Sequence, residues 1–285
     1  MPIKDQPKSK SKNNAGAWSN LIPPEPGVTP GLESLAHMDK IYLKQHVDVL
    51  EAVTGFERKN QFKLFEPESG LLVGQFREKS STLDRQFCKN RRKFKAVVHH
   101  LSKHDVLFKL DRPRKSDNPF CPESQCYCPA LCCLEGTDSC GQFMTVKDNK
   151  DEEIGYIKQT ATQSCQHNTH AILSHIIPYW VFIAMCYIDY EYSLYDKNNT
   201  LCYIFKKDIC STKFSCCQDV EIGIYDPQGS QVGKFVKEFK GKASEIFTTA
   251  DNIRVYFPDN TTPEMKATIV GAVLLWDYNM WEKGD

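Results

Sequence analysis

The sequence predicts a mainly β fold with a central helix, a closed barrel of about twelve strands around a hydrophobic C-terminal helix. Three observations point there. Between Val47 and Phe257, short apolar runs alternate with polar or Gly/Pro punctuation, as antiparallel strands do. The chain then closes on Met265 to Trp281, where Ile269, Val270, Val273, Leu274, Leu275, Trp276, Tyr278 and Met280 point around the whole circumference of a helix and leave no polar face for water. Finally, an all-β chain removes its unpaired edges best by closing on itself, and the apolar helix is of a kind to fill the interior.

Taken in order, residues 1 to 29 hold Lys4, Lys8, Lys10 and Lys12 and then Pro23, Pro24 and Pro26, with little that could build a core. They read as a disordered, weakly basic leader, either a spacer or a short polyproline ligand for protein partners. From residue 30 to 285 the chain is one domain. Ser34 to Leu43 has near-helical apolar spacing and predicts a short helix. Strands are predicted at Val47 to Val53, Phe62 to Phe65, Leu71 to Phe76, Phe94 to Val98 and Val106 to Leu110. They continue at Glu153 to Ile157, Tyr190 to Leu194, Leu201 to Phe205, Val220 to Tyr225, Gln231 to Phe235 and Arg254 to Phe257. One segment breaks the rhythm: the apolar run Ile176 to Ile188, within an atypical stretch near residues 166 to 188, is too short for a membrane span and reads as buried or interfacial, with re-entrant insertion into the membrane as the alternative. The last helix has an apolar core only from Ala267 to Trp276, against the roughly 20 residues a bilayer span takes, so it belongs inside protein.

Composition narrows the function. Lys plus Arg equals Asp plus Glu at 36 each, so net charge gives no reason to expect nucleic acid as a partner. The opening residues lack a signal-peptide core and place Pro2 where myristoylation needs glycine, which predicts a protein of the cytosol or of cytosolic membrane faces. Thirteen cysteines in such a compartment call for metal binding, acylation or packing rather than disulfides. They cluster as Cys121, Cys126, Cys128, Cys132, Cys133 and as Cys210, Cys216, Cys217, spacings too ragged for a regular zinc site. Adjacent cysteines in the Pro/Leu setting of residues 128 to 134 suit thioester acylation, and two acyl chains anchor stably. Buried, inert thiols are the plainer alternative. Thr249, Asp251, Asn252, Asp259 and Asn260 space oxygen donors along one segment, a candidate calcium loop of low affinity because only Asp251 and Asp259 are charged and Arg254 sits among them. The plainer reading is a polar turn. His167, His170 and His175 have spacing a metal could use, although isolated histidines are commoner. No phosphate-binding glycine loop, nucleophile elbow or acid/base pair is present, so the expectation is not an enzyme.

Ordered motifs along most of the chain resemble the phospholipid scramblase family. They are Pro30-Gly-Leu-Glu33, residues 49 to 57, Leu110-Asp-Arg-Pro113, residues 155 to 160, residues 216 to 222 and, most specifically, Ala250-Asp-Asn252, Phe257-Pro258, Met265-Lys-Ala267, Gly271-Ala272 and Asp277. The resemblance implies a Tubby-like barrel of about twelve strands around the C-terminal helix. It also implies calcium-activated, ATP-independent, bidirectional movement of phospholipids between leaflets, without covalent chemistry. Carried over by position, Cys126, Cys128, Cys132 and Cys133 become palmitoylation candidates and residues 249 to 260 the Ca2+ segment. That segment departs from the family pattern at Thr249, Arg254 and Asn260. The expected place is the cytosolic face of membranes, the plasma membrane first, with a nuclear pool. The competing expectation is a palmitoylated lipid-sensing or protein-interaction module without transport activity.

Overall fold

The computed structural model describes residues 27–45, 61–79, 93–100, 105–113, 142–163, 188–206, 219–238 and 252–280. A four-residue helix α1 (Glu33–Ala36) leads into twelve strands and a final helix α2 (Pro263–Met280). The strands are β1 (Lys40–Gln45), β2 (Gln61–Phe65), β3 (Leu72–Lys79), β4 (Phe94–His100), β5 (Val106–Arg112) and β6 (Phe143–Lys147). They continue as β7 (Glu153–Gln163), β8 (Ile188–Asp196), β9 (Leu201–Lys206), β10 (Val220–Tyr225), β11 (Gln231–Glu238) and β12 (Asn252–Tyr256). Each pairs antiparallel with its sequence neighbours, and β1 pairs with β12, so the sheet closes. The expected barrel of twelve strands around a C-terminal helix is therefore what the chain forms.

Period-two alternation puts Phe62 and Leu64 of β2, Phe76 of β3 and Phe235 of β11 inside, with charged neighbours outside. Helix α2 fills the interior. Trp276 is fully buried there, its ring 5.1 Å from that of Tyr192 and 5.9 Å from that of Phe235. Where helix and wall approach most closely the wall has glycine: a Cβ on Gly155 would lie 2.5 Å from Thr268 Oγ1 and 2.8 Å from the Tyr195 carbonyl. The helix starts where its sequence says it should, with Thr262 Oγ1 accepting the Met265 N–H at 3.3 Å, Pro263 in the first turn and Glu264 after it.

Two expectations change. Of the anticipated Ser34 to Leu43 helix only Ser34 to Ala36 is helical, because Ile41 and Leu43 point inward while Tyr42 and Lys44 point outward, the period of a strand. That strand closes the barrel by pairing with both β2 and β12, a gain no isolated short helix can match. Strand β6 was not among the predicted runs. Val47 to Val53 and all of the 176 to 188 run except Ile188 lie outside the described residues, whereas every other predicted run overlaps a strand. The described fold begins at Gly27, and the backbone and hydroxyl of Thr29 both bond to Glu264 Oε1.

The two ends of the barrel differ. At one, which we call the turn end, tight connections join β2 to β3, β6 to β7, β8 to β9 and β10 to β11. Asp148, Asp196 and Asp226 each accept backbone N–H groups of their own turn, and Asp151, Asn199 and Gly229 three residues later take positive φ. Helix α2 enters here. At the other, connection end, the strand bounds require longer segments between β1 and β2, β3 and β4, β5 and β6, β7 and β8, β9 and β10, and β11 and β12.

Candidate functional site

The proposed calcium segment is divided by the strand it contains. Asn252 is buried at the start of β12, at the connection end, while Asp259 and Asn260 are exposed in the turn beyond the strand's other end. Five extended residues at about 3.3 Å each separate these groups by far more than one ion's coordination shell. Thr249 and Asp251 lie outside the described residues. The described donors thus do not converge, and they do not fit a single calcium ion. Among the described residues, no group of three or more His, Cys, Asp or Glu side chains could hold a metal.

Arg254, within the segment, and Thr261, just after it, have structural roles instead. Arg254 faces outward from β12, ion-paired with Glu238 and 5.8 Å above the Tyr42 ring. Tyr42 donates its hydroxyl to Glu238 Oε2 at 3.0 Å. Burial first, and then the bond to that carboxylate, push the Tyr42 phenol up to about 12. The buried Asn252 Oδ1 has no hydrogen-bond partner among the described residues. Past the strand, Thr261 Oγ1 donates to the Pro258 carbonyl at 2.7 Å and meets Tyr203 Oη at 2.9 Å, fixing the entry to α2.

Helix α2 is held at both ends by polar groups that sequence reasoning passed over. Near its start, Lys266 is 5% exposed and donates to the Ala36 carbonyl at 3.1 Å and to the Met38 carbonyl at 2.7 Å. Desolvation lowers the affinity of this ammonium for its proton, with Asp39 pulling the other way. Near its end, Tyr278 donates to the buried Glu78 carboxylate at 2.5 Å. Arg112, also buried at this end, donates to Gln142 Oε1 from Nε at 3.2 Å and from Nη2 at 2.6 Å. The signal in the sequence is a charged residue breaking strand or helix alternation: Glu78 stands at an inward position of β3 and Lys266 within an apolar helix.

The palmitoylation candidates Cys126, Cys128, Cys132 and Cys133, the second cysteine cluster and the three histidines lie outside the described residues. The segments that contain them all join strand ends at the connection end. Cys202, on β9, is a free, half-buried thiol whose affinity for its proton is raised mainly by burial.

The barrel is not built like a membrane-spanning one. Such barrels are apolar outside and polar within, whereas this one packs Trp276, Tyr192, Phe205 and Phe235 inside and carries Lys63, Arg77, Lys109, Lys234 and Arg254 outside. Among the described residues, no helix is long and apolar enough to cross a membrane.

The chain that forms this antiparallel twelve-stranded barrel plugged by its own C-terminal helix belongs to the family called Scramblase, whose model matches residues 18–175 and 181–283. Among curated proteins it is similar to phospholipid scramblase 1 of Mus musculus, with 26% identity over 286 residues, covering 99% of this chain and 74% of that one. Phospholipid scramblase 1 of Homo sapiens is 28% identical over 267 residues, covering 93% of this chain and 70% of the relative. Phospholipid scramblase 2 of Homo sapiens is 25% identical over 283 residues, covering 99% and 80%. No solved structure matches.

Proposed function

We propose that this chain moves phospholipids between the leaflets of a membrane, in both directions and without ATP, and that it does so while its barrel stays plugged. The observation that carries the reading is membership of the Scramblase family across nearly the whole chain, with relatives named phospholipid scramblases. The filled interior shapes the mechanism. A headgroup needs a polar path across about 30 Å of hydrocarbon, and the interior, occupied by α2 and its aromatic neighbours, offers none. The polar surface available to headgroups is the outside of the barrel, so lipid passes along the outer face or through bilayer that the bound protein perturbs.

Anchoring falls to acyl chains on Cys126, Cys128, Cys132 and Cys133, in the connection between β5 and β6. We place the protein on the cytosolic face of a membrane by this means. Labelling that hydroxylamine removes should disappear when all four are changed to Ala; persistence would move the anchor elsewhere. Calcium activation comes to this reading from the family alone, and the described donors of residues 249–260 do not supply one ion's shell. Calcium, where it acts, works through residues other than a single site made by Asn252, Asp259 and Asn260.

The competing reading, an acylated lipid-sensing or interaction module, is favoured by the charged exterior of the barrel. Reconstitution of the full chain with fluorescent phospholipids, with and without ATP and with and without calcium, separates the two. Accelerated movement that ignores ATP is expected. Vesicles that bind the protein yet exchange lipid no faster than protein-free ones would leave only the module.

A further inference from the structure

The outer face of the barrel is not charged evenly. On β5, β9, β11 and β12 the cations lie against carboxylates: Lys109 at 2.8 Å from Asp151, Lys206 at 3.1 Å from Glu191, Lys234 at 3.0 Å from Glu221, and Arg254 against Glu238. Across β1 to β4 only Lys40, 3.2 Å from Glu68, and Lys95 keep that pattern among the described residues. Register sets Lys44 directly opposite Lys63 and Lys79 directly opposite Lys95. Arg77 stands opposite Gln61, one diagonal step from Lys63. Lys44, Arg77, Lys79 and Lys95 are exposed and Lys63 is half-buried, while Leu43, Phe62, Leu64, Phe76 and Ala96 beside them point into the core.

Of these cations only Lys95 has a carboxylate within ion-pair distance among the described residues, Asp111 at 3.3 Å, which Lys147 shares at 3.8 Å. Glu78, between Arg77 and Lys79, points inward, where Tyr278 donates to its carboxylate. Like charges set directly across a sheet destabilise it, and here two such pairs recur on four adjoining strands of a chain whose charges sum to zero. The relief open to such a face is an external anion. At about 4.8 Å between strands the face is roughly 14 Å wide, broad enough for several anionic groups. Lys residues predominate, Gln61, Gln75 and Val97 stand between them, and the aromatic pair Tyr42 and Phe65 flanks Lys44 and Lys63 with Tyr42 already beneath the Arg254 guanidinium, so the face is mainly a Coulombic surface.

We propose that Lys44, Lys63, Arg77, Lys79 and Lys95 dock the side of the barrel onto an anionic phospholipid surface, where headgroup phosphates and carboxylates offset the paired lysines. The proposal rests on the reading that the chain works at a phospholipid membrane, and it does not depend on lipid transport.

The test is sedimentation of the full chain with phosphatidylcholine vesicles, with and without phosphatidylserine. The variants are Lys44→Gln/Lys63→Gln and Lys79→Gln/Lys95→Gln, with Lys206→Gln/Lys234→Gln as the charge-matched control on the other side. A basic side chain near an anionic surface raises partitioning roughly fivefold. Each of the first two variants is therefore expected to bind anionic vesicles about tenfold or more weakly, while the control stays near wild type. Salt should suppress wild-type binding. Melting temperature should not fall in Lys44→Gln/Lys63→Gln, because a repulsion is removed, which separates lost docking from lost folding. Equal weakening in the control, no weakening in either variant, or no preference of the wild type for anionic vesicles would overturn the proposal. Displacement by soluble glycerophosphoserine or inorganic phosphate as effective as that by vesicles would make the face a free-anion site instead, and stronger retention on a nucleic-acid duplex would assign it to a partner of another class. Binding to anionic vesicles without lipid movement would leave this face standing and remove the transport reading; lipid movement with equal binding to neutral vesicles would do the reverse.

Discussion

Tyr42 shows how a single side chain ties three strands together. It lies on β1 between β2 and β12, donates to Glu238 of β11, and sits beneath the Arg254 guanidinium. Its phenol is raised from 10.0 to about 12, so the folded state holds this proton more tightly than the unfolded chain. The stability it contributes is whole below pH 10.0 and is lost as pH rises towards about 12. Stability of the wild type, followed by denaturant melts across that window, should fall more steeply than that of Tyr42→Phe; parallel curves would show that the bond to Glu238 adds nothing. Gly155 makes a second case. Its missing Cβ leaves room for Thr268 and for the Tyr195 carbonyl, so Gly155→Val should destabilise by about 1–3 kcal/mol through overpacking. An unchanged melting temperature would mean that helix and wall can move apart without cost.

Among the elements, α2 has the largest share of the core, and Trp276 is its largest buried side chain. Trp276→Ala removes contacts with both Tyr192 and Phe235 and should cost about 3–5 kcal/mol in chemical denaturation. A cost under about 1 kcal/mol would mean that the interior is less well filled than its geometry requires. The helix was also the most legible element, because an apolar surface on every side leaves burial as its only outcome. Strands with clear alternation could be read as well. Strand β1 could not, since Leu35, Met38 and Ile41 imitate helical spacing and the pairing with β12 that decides the matter lies more than two hundred residues away. The candidate site was less legible than the fold. Asn252, Asp259 and Asn260 are close in sequence, but the strand Asn252–Tyr256 holds the first apart from the other two, towards opposite ends of the barrel. Conversely, the lysines of β1 to β4 are scattered in sequence, and only the register sets Lys44 against Lys63 and Lys79 against Lys95.

At the scale of the whole molecule, the barrel has a turn end built from self-satisfied aspartate turns and a connection end where every long segment attaches. Its interior is closed by α2, and on the β1 to β4 side Lys44 faces Lys63 and Lys79 faces Lys95. The function proposed above has such a protein work on lipid from its outer surface, with the plugged interior left out of the path. The most direct measurement is the fraction of fluorescent phospholipid that dithionite can reach in vesicles reconstituted with the full chain, with calcium present and ATP absent, as protein per vesicle is increased. That fraction is expected to climb above the outer-leaflet share towards completeness as more vesicles hold a copy. A fraction fixed at the outer-leaflet share at every protein level would contradict the account.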